Sequence, residues 1–162
     1  MRTIGFVLAM VLSWGAAHAA DVSFANVESY IDPSFDRPRS QKNLRAVQDR
    51  LREIFAETAA KYLAPGQALT VEVTGIDLAG RLEPTLYSND IRIMSGATWP
   101  RLEFNYTVTE NGAVVASGQA SLQDRNYLEQ INARPQGERL RYEREMISHW
   151  FRKTFAGQAS RN

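Results

Sequence analysis

The stretch that decides the fold is RLEFNYTVTENGAVVASGQASLQ, residues 101–123. Apolar or small residues alternate with polar ones on both sides of Glu110-Asn111-Gly112. The alternating set is Leu102, Phe104, Tyr106, Val108, Val114, Ala116, Gly118, Ala120 and Leu122. Such alternation is typical of strands with one buried face, and Asn-Gly is a strong turn signal. The segment therefore predicts a β-hairpin whose other face, including Asn105, Thr107, Ser117 and Gln119, is wet.

The parity of the apolar residues favours one loop length for this hairpin. A two-residue Asn111-Gly112 turn would pair Val108 with Val115 and set an apolar face against a polar one. We therefore expect a three-residue loop with Gly112 in the left-handed conformation. Large residues then lie opposite small ones, in the pairs Val108–Val114, Tyr106–Ala116, Phe104–Gly118 and Leu102–Ala120.

Two segments have the period of an amphipathic helix. The first begins after Ser40, a potential cap, and ends at Ala64-Pro65-Gly66. Its apolar stripe consists of Leu44, Val47, Leu51, Ile54, Phe55, Thr58 and Tyr62. The second segment, Glu138 to Phe155, has a broad apolar face with Leu140, Ile147, Trp150, Phe151 and Phe155. Both are predicted to pack on the core.

Three further strands are expected outside the hairpin. One lies at residues 22–25, and another begins at Leu69, with a bulge near Thr74-Gly75 that keeps a single apolar face. The third covers residues 90–94, with Ile91 and Ile93 predicted to point inward. The order of elements predicts an α+β fold, in which a mostly antiparallel sheet of four to five strands carries two amphipathic helices on one face.

The N-terminus has the pattern of a secretory signal peptide. Basic Arg2 precedes an apolar run at residues 4–14, and Ala17 and Ala19 fit the small-residue cleavage site. The run is too short to span a bilayer. We predict cleavage after Ala19, a single α+β domain over residues 20–162, and export to the periplasm or beyond.

Composition narrows the functional classes. The chain has 19 Lys+Arg and 18 Asp+Glu, so loss of Arg2 with the signal peptide leaves equal numbers. This balance gives no reason to expect nucleic acid binding. With 0 Cys there is neither a disulfide nor a lipid-modified cysteine. No transmembrane anchor is expected in the mature form.

Few side chains are suited to catalysis. After cleavage His149 is the one histidine, and adjacent helical side chains diverge, so Ser148 cannot be its nucleophile. A zinc site would need more His or Cys ligands, and no motif indicates a cofactor. The carboxylates Asp77, Asp90 and Asp124 leave one catalytic alternative, a hydrolase or metal-dependent enzyme.

A binding role is the first hypothesis. Trp99-Pro100-Arg101 sets an aromatic ring beside a cation, and Arg101 shares the outward parity of Glu103. Asp77, Asp90 and Arg92 are the other candidate binding residues, at strand ends or on a strand. The partner would be an envelope protein or another envelope component. The cations of the second helix are expected to form helical ion pairs such as Arg141 with Glu145.

Several short motifs, taken in order, resemble domain-of-unknown-function family 3016, a group of exported Gram-negative proteins. They are Asp77-Leu78-Ala79-Gly80, Asp90-Ile91-Arg92-Ile93-Met94, Trp99-Pro100-Arg101, Asn126-Tyr127, Arg141-Tyr142-Glu143 and Trp150-Phe151. The resemblance covers about residues 22 to 155. It implies a periplasmic or envelope location, and it supplies no catalytic residues because the family has no established activity.

Overall fold

The structure is a computed structural model that describes residues 20–35, 41–84, 91–129 and 137–155. In these ranges lie the strands β1 (Ala20–Phe24), β2 (Gln67–Asp77), β3 (Arg81–Glu83), β4 (Ile91–Ile93), β5 (Arg101–Glu110) and β6 (Ala113–Gln123). The helices are α1 (Gln41–Tyr62) and α2 (Arg141–Phe155), with a short 3-10 helix at Val27–Ser29. The predicted signal peptide and the Ser40 cap lie outside the described residues.

The main sheet has the strand order β1-β2-β5-β6. β1 runs parallel to β2, and the other neighbours are antiparallel. β3 and β4 form a separate two-stranded antiparallel sheet. The α+β class and the mostly antiparallel sheet are confirmed.

Both helices contribute to the core that covers the main sheet. Phe104 of β5 makes edge-to-face contacts with Phe55 of α1, at 5.3 Å between ring centroids, and with Trp150 of α2, at 4.9 Å. The predicted stripe of α1 is buried except for the half-buried Tyr62. α2 begins at Arg141 instead of Glu138, because Leu140 has a left-handed backbone with φ 60°. Its predicted apolar residues are buried.

The expected bulge in β2 is present. The register with β5 shifts between Val73 and Gly75, after which Ile76 pairs with Leu102. Ile76 and Leu78 are buried together with Val73, so the extra residue returns the strand to a single apolar face.

The prediction for the hairpin turn was wrong. Asn111 and Gly112 form a two-residue turn with φ of 50° and 84°, and Glu110 pairs directly with Ala113. A bulge at Val115 then shifts the register, so that Val108 lies opposite Ala116. The bulge removes the parity conflict that argued against this turn. From Ala116 onward the alternating face is as predicted, but its pairs are Tyr106–Gly118, Phe104–Ala120 and Leu102–Leu122. Val114 was also predicted to face the core, but it lies opposite Thr109, before the bulge, and is 64% exposed.

The orientation predicted for β4 was also wrong. Ile91 and Ile93 are 52% and 45% exposed, whereas the side chain of Arg92 is 15% exposed. β4 pairs with β3 and not with the main sheet, so its inward side faces polar groups that bind the Arg92 guanidinium.

Candidate functional site

A cleft of about 410 Å³ lies where β2 ends and β5 begins. Asp77 is the last residue of β2, Arg101 is the first of β5, and the two are cross-strand partners. Trp99 forms part of the same wall. The cleft is lined by Ile31, Asp32, Pro33, Ser34, Asp77, Gly80, Arg81, Leu82, Ala97, Thr98, Trp99 and Arg101. The structure thus brings together three of the five predicted binding residues, while Asp90 lies outside the described residues.

Two arginines stack on Trp99. The guanidinium carbons of Arg101 and Arg125 lie 4.8 and 4.9 Å from the ring centroid, within the range of cation–π attraction. The indole Nε1 is buried and has no hydrogen-bond partner in the described ranges. The half-buried Trp99 ring therefore lines the cleft together with Arg101, whereas Arg125 contacts the ring but is not among the lining residues. The sequence did not indicate Arg125, which comes after β6 and reaches Trp99 only in the folded chain.

Tyr127 holds the turn that precedes Trp99. Its hydroxyl donates to the Ser95 carbonyl and accepts from the Ser95 N–H, both at 2.9 Å. Tyr127 is fully buried and makes an edge-to-face contact with Tyr142 of α2, at 4.7 Å between centroids. Burial raises the pKa of the Tyr127 hydroxyl, which keeps it protonated as a donor. Sequence reasoning missed this role, although Asn126-Tyr127 was one of the motifs behind the family resemblance.

Arg92 lies behind the cleft instead of lining it. Its guanidinium binds both carboxylate oxygens of Asp32, at 2.9 and 3.2 Å. It also donates to the carbonyls of Ser34, Ala79 and Gly80. The side chain thus joins the 31–34 segment to the turn after β2.

The turn after β2 is fixed from two further sides. The N–H of Ala79 donates to the carboxylate of Glu143, a residue of α2 that is 2% exposed. Gly80 has φ 75°, and a Cβ there would lie 2.6 Å from the carbonyl oxygen of Ile93. Only glycine fits this position without displacement of β4. The family motif at residues 77–80 therefore forms a rigid edge of the cleft.

The electrostatics of the cleft centre on Asp77. Burial raises the pKa of its carboxyl, the charge of Arg101 opposes this effect, and the nearby Asp32 adds to it. The net result is a carboxyl that is protonated more readily than an ordinary aspartic acid.

Of the three carboxylates of the catalytic alternative, the two in the described residues, Asp77 and Asp124, do not share a site. Asp124 lines a different groove, between β6 and α2, and its Oδ1 accepts from the Asn126 N–H at 3.1 Å. β5 separates it from Asp77 in the main sheet. Within the described ranges, no group of three or more His, Cys, Asp or Glu side chains could hold a metal ion. His149 is exposed, and its Nδ1 lies 3.1 Å from the guanidinium of Arg152.

No helix in the part of the chain that the structure describes is long and apolar enough to cross a membrane. Fold and site together define a small α+β domain with a Trp-Arg cleft at one end of its sheet. Residues 18–153 match the sequence model of the family described as "Protein of unknown function (DUF3016)". The chain belongs to that family, as the motif resemblance indicated.

Other comparisons add little. A crystal structure of a Xanthomonas campestris protein of the DUF330 family has 16% sequence identity to this chain. The match covers 93% of each chain with a TM-score of 0.36, which is too low to support an argument about fold or function. No curated protein matches the sequence.

Proposed function

We propose that this protein is an exported periplasmic binding module of the cell envelope, without catalytic activity, that captures a protein partner in the Trp99 cleft. The proposal rests chiefly on Trp99 and Arg101 in the wall of a cleft of about 410 Å³, with Arg101 and Arg125 both stacked on the Trp99 ring. Tryptophan and arginine are the residues that most often anchor protein interfaces. The signal-peptide pattern at residues 1–19 supports the location.

The charges around the cleft favour an acidic partner segment. Arg81, Arg101 and Arg125 are exposed, and within the described ranges none has a carboxylate within salt-bridge distance. Asp32 is paired with Arg92, and the charge of Arg101 acts on Asp77, the other carboxylate among the lining residues. A carboxylate can bind a free guanidinium fork at two points. Ile31, 72% exposed at the mouth, provides an apolar contact beside these cations.

Capture from periplasmic extract, followed by mass spectrometry, tests this function. The baits are the exported protein and its Trp99→Ala, Arg101→Ala and Arg45→Ala variants. Arg45 is exposed on α1 and does not line the cleft, so Arg45→Ala is a control with the same change of charge. We expect the parent and the Arg45→Ala variant to retain a common protein that both cleft variants lose.

The same extract can be challenged with short peptides as competitors. A peptide with acidic and apolar residues should displace the captured protein, and a basic peptide of equal length should not. Identical capture by all four baits, or equal displacement by both peptides, would contradict the assignment of the cleft.

A further inference from the structure

Among the residues that the structure describes, no strand pairs with the outer edge of β6 in the main sheet. β6 is an outer strand of 11 residues, whereas the opposite edge, β1, has 5. Its sequence AVVASGQASLQ contains no charged residue and no proline, the features that usually protect an edge from pairing. The Val115 bulge interrupts the edge near its start, and the rest of the strand is regular. As far as the described ranges show, its outward N–H and C=O groups are therefore available to another strand.

We infer that β6 pairs antiparallel with β6 of a second copy of this chain, about a two-fold axis at Gly118. Ser117 then lies opposite Gln119 of the second copy, and Ala116 opposite its Ala120. These are small or uncharged residues, so no like charges meet across the pair. Because a two-fold contact uses the same edge of both copies, the assembly closes at two chains.

Tyr106 marks the proposed centre. It is the cross-strand partner of Gly118, and a Cβ on that glycine would lie 3.1 Å from the Tyr106 hydroxyl. The Tyr106 ring thus occupies the space that a side chain at position 118 would fill, and its hydroxyl lies at the sheet edge. Within the described ranges this hydroxyl has no hydrogen-bond partner. In the dimer it faces the same group of the second copy.

α2 runs antiparallel to β6 on the helical face of the sheet. At its start, Tyr142 contacts Tyr127, which follows the C-terminal end of β6. Towards its end, Phe151 stacks on Tyr62, close to where β2 begins. Midway, Trp150 contacts Tyr106, at 5.0 Å between centroids. The turn that contains Trp150 is therefore level with Gly118, and an axis at Gly118 passes beside it.

With the two-fold axis at Gly118, the α2 helices of the two copies are complementary in charge. Glu145 lies on one side of the central turn and Lys153 on the other, and both line the groove between α2 and β6. In a single chain they are separated by eight residues, about 12 Å along the helix, too far to pair. Neither has an ion pair within the described ranges, and the predicted Arg141–Glu145 pair is absent there, since Arg141 donates to the Tyr142 hydroxyl. Across the two-fold axis, Glu145 faces Lys153 of the second copy.

The test measures the mass of the exported protein by analytical ultracentrifugation at micromolar concentration. The parent should have the mass of two chains. In Ser117→Lys/Gln119→Lys, like charges oppose each other across the axis, and the mass should fall to one chain. In the matched control Ser117→Lys/Gln119→Glu, each cation meets an anion, and the dimer should persist. Both positions are exposed on the wet face, and thermal melts verify that the variants remain folded.

A charge swap on α2 provides the second arm. Glu145→Lys should weaken the dimer, and Glu145→Lys/Lys153→Glu should restore it. A monomeric parent, as expected if the edge serves a strand of a different protein, overturns the inference. A folded Ser117→Lys/Gln119→Lys variant that stays dimeric overturns it equally. Neither result depends on whether the Trp99 cleft binds a partner.

Discussion

Arg92 and Asp32, 60 residues apart in sequence, form a two-point ion pair with N–O distances of 2.9 and 3.2 Å. The pair connects β4 to the segment that follows the 3-10 helix, and so fixes one wall of the Trp99 cleft. Three backbone carbonyls accept further hydrogen bonds from the two terminal nitrogens of the guanidinium. Arg92, predicted from sequence as a binding residue, thus supports the site from behind.

Removal of this guanidinium should destabilise the fold. Arg92→Ala leaves Asp32 and three carbonyls without their donor, and we expect a cost of about 2 to 4 kcal/mol in the free energy of unfolding. Arg92→Lys keeps the charge but loses the two-point geometry, so its cost should be intermediate. Denaturant titration measures both, with Arg45→Ala as the control. An Arg92→Ala cost equal to that of the control would contradict this role.

Truncation of a core aromatic residue should lower stability more than truncation of His149. Phe104 is 1% exposed between Phe55 and Trp150, so Phe104→Ala should lower stability by about 3 to 5 kcal/mol. His149→Ala should cost less than about 1 kcal/mol, because the ring is exposed. Chemical denaturation distinguishes the two, and equal costs would mean that the core is misassigned.

Loss of the Tyr127 hydroxyl should loosen the turn before Trp99. Tyr127→Phe leaves the Ser95 N–H without this acceptor, at an expected cost of about 1 to 2 kcal/mol. Amide hydrogen exchange at Ser95 should become faster. Tyr62→Phe is the matched control, since the Tyr62 hydroxyl has no hydrogen bond within the described ranges. Unchanged exchange at Ser95 would argue against Tyr127 as the anchor.

Asp77 and Glu57 should affect the pH dependence of stability in opposite directions. Burial raises the folded-state pKa of Asp77 above its ordinary 3.8, so folding favours its protonated form. That contribution is complete below the ordinary pKa and is lost as the pH rises through the folded value. The difference in melting temperature between Asp77→Asn and the parent should therefore shift in favour of the variant as the pH is raised from about 3 to about 7.

Glu57 provides the contrast within the same experiment. Arg144 holds its pKa below the ordinary value, so its contribution exists at neutral pH and is lost as the pH falls through the folded pKa. The difference in melting temperature between Glu57→Gln and the parent should therefore shift against the variant as the pH is raised from about 3 to about 7. Parallel trends for the two variants would contradict at least one assignment.

The exported protein should begin at Ala20. Cleavage after Ala19 satisfies the small-residue rule at Ala17 and Ala19 and leaves β1 whole, with Ala20 paired to Leu69. N-terminal sequencing of the periplasmic form checks this. Detection of Met1 on that form would rule out a cleaved signal peptide.

The sequence alone determined the elements that depend on local periodicity. The apolar stripes predicted for α1 and α2 are essentially those that are buried, and the alternating face of residues 102–122, apart from Val114, is the face turned towards the helices. The β2 bulge was also predictable, because apolar residues change parity at Thr74-Gly75. Because each of these elements buries one face, its apolar residues recur with the period of a helix or a strand, and this recurrence can be recognised in the sequence.

The tertiary structure decided what depends on partners distant in sequence. Periodicity could not show that a second bulge, at Val115, permits the two-residue turn, or that β4 pairs with β3 and turns Arg92 inward. It also could not bring Arg125 onto Trp99 or Tyr127 onto Ser95. These contacts join turns and strand ends, whose positions follow from how the elements pack and not from any repeat in the chain. The sequence therefore predicted the core, and only folding assembled the cleft.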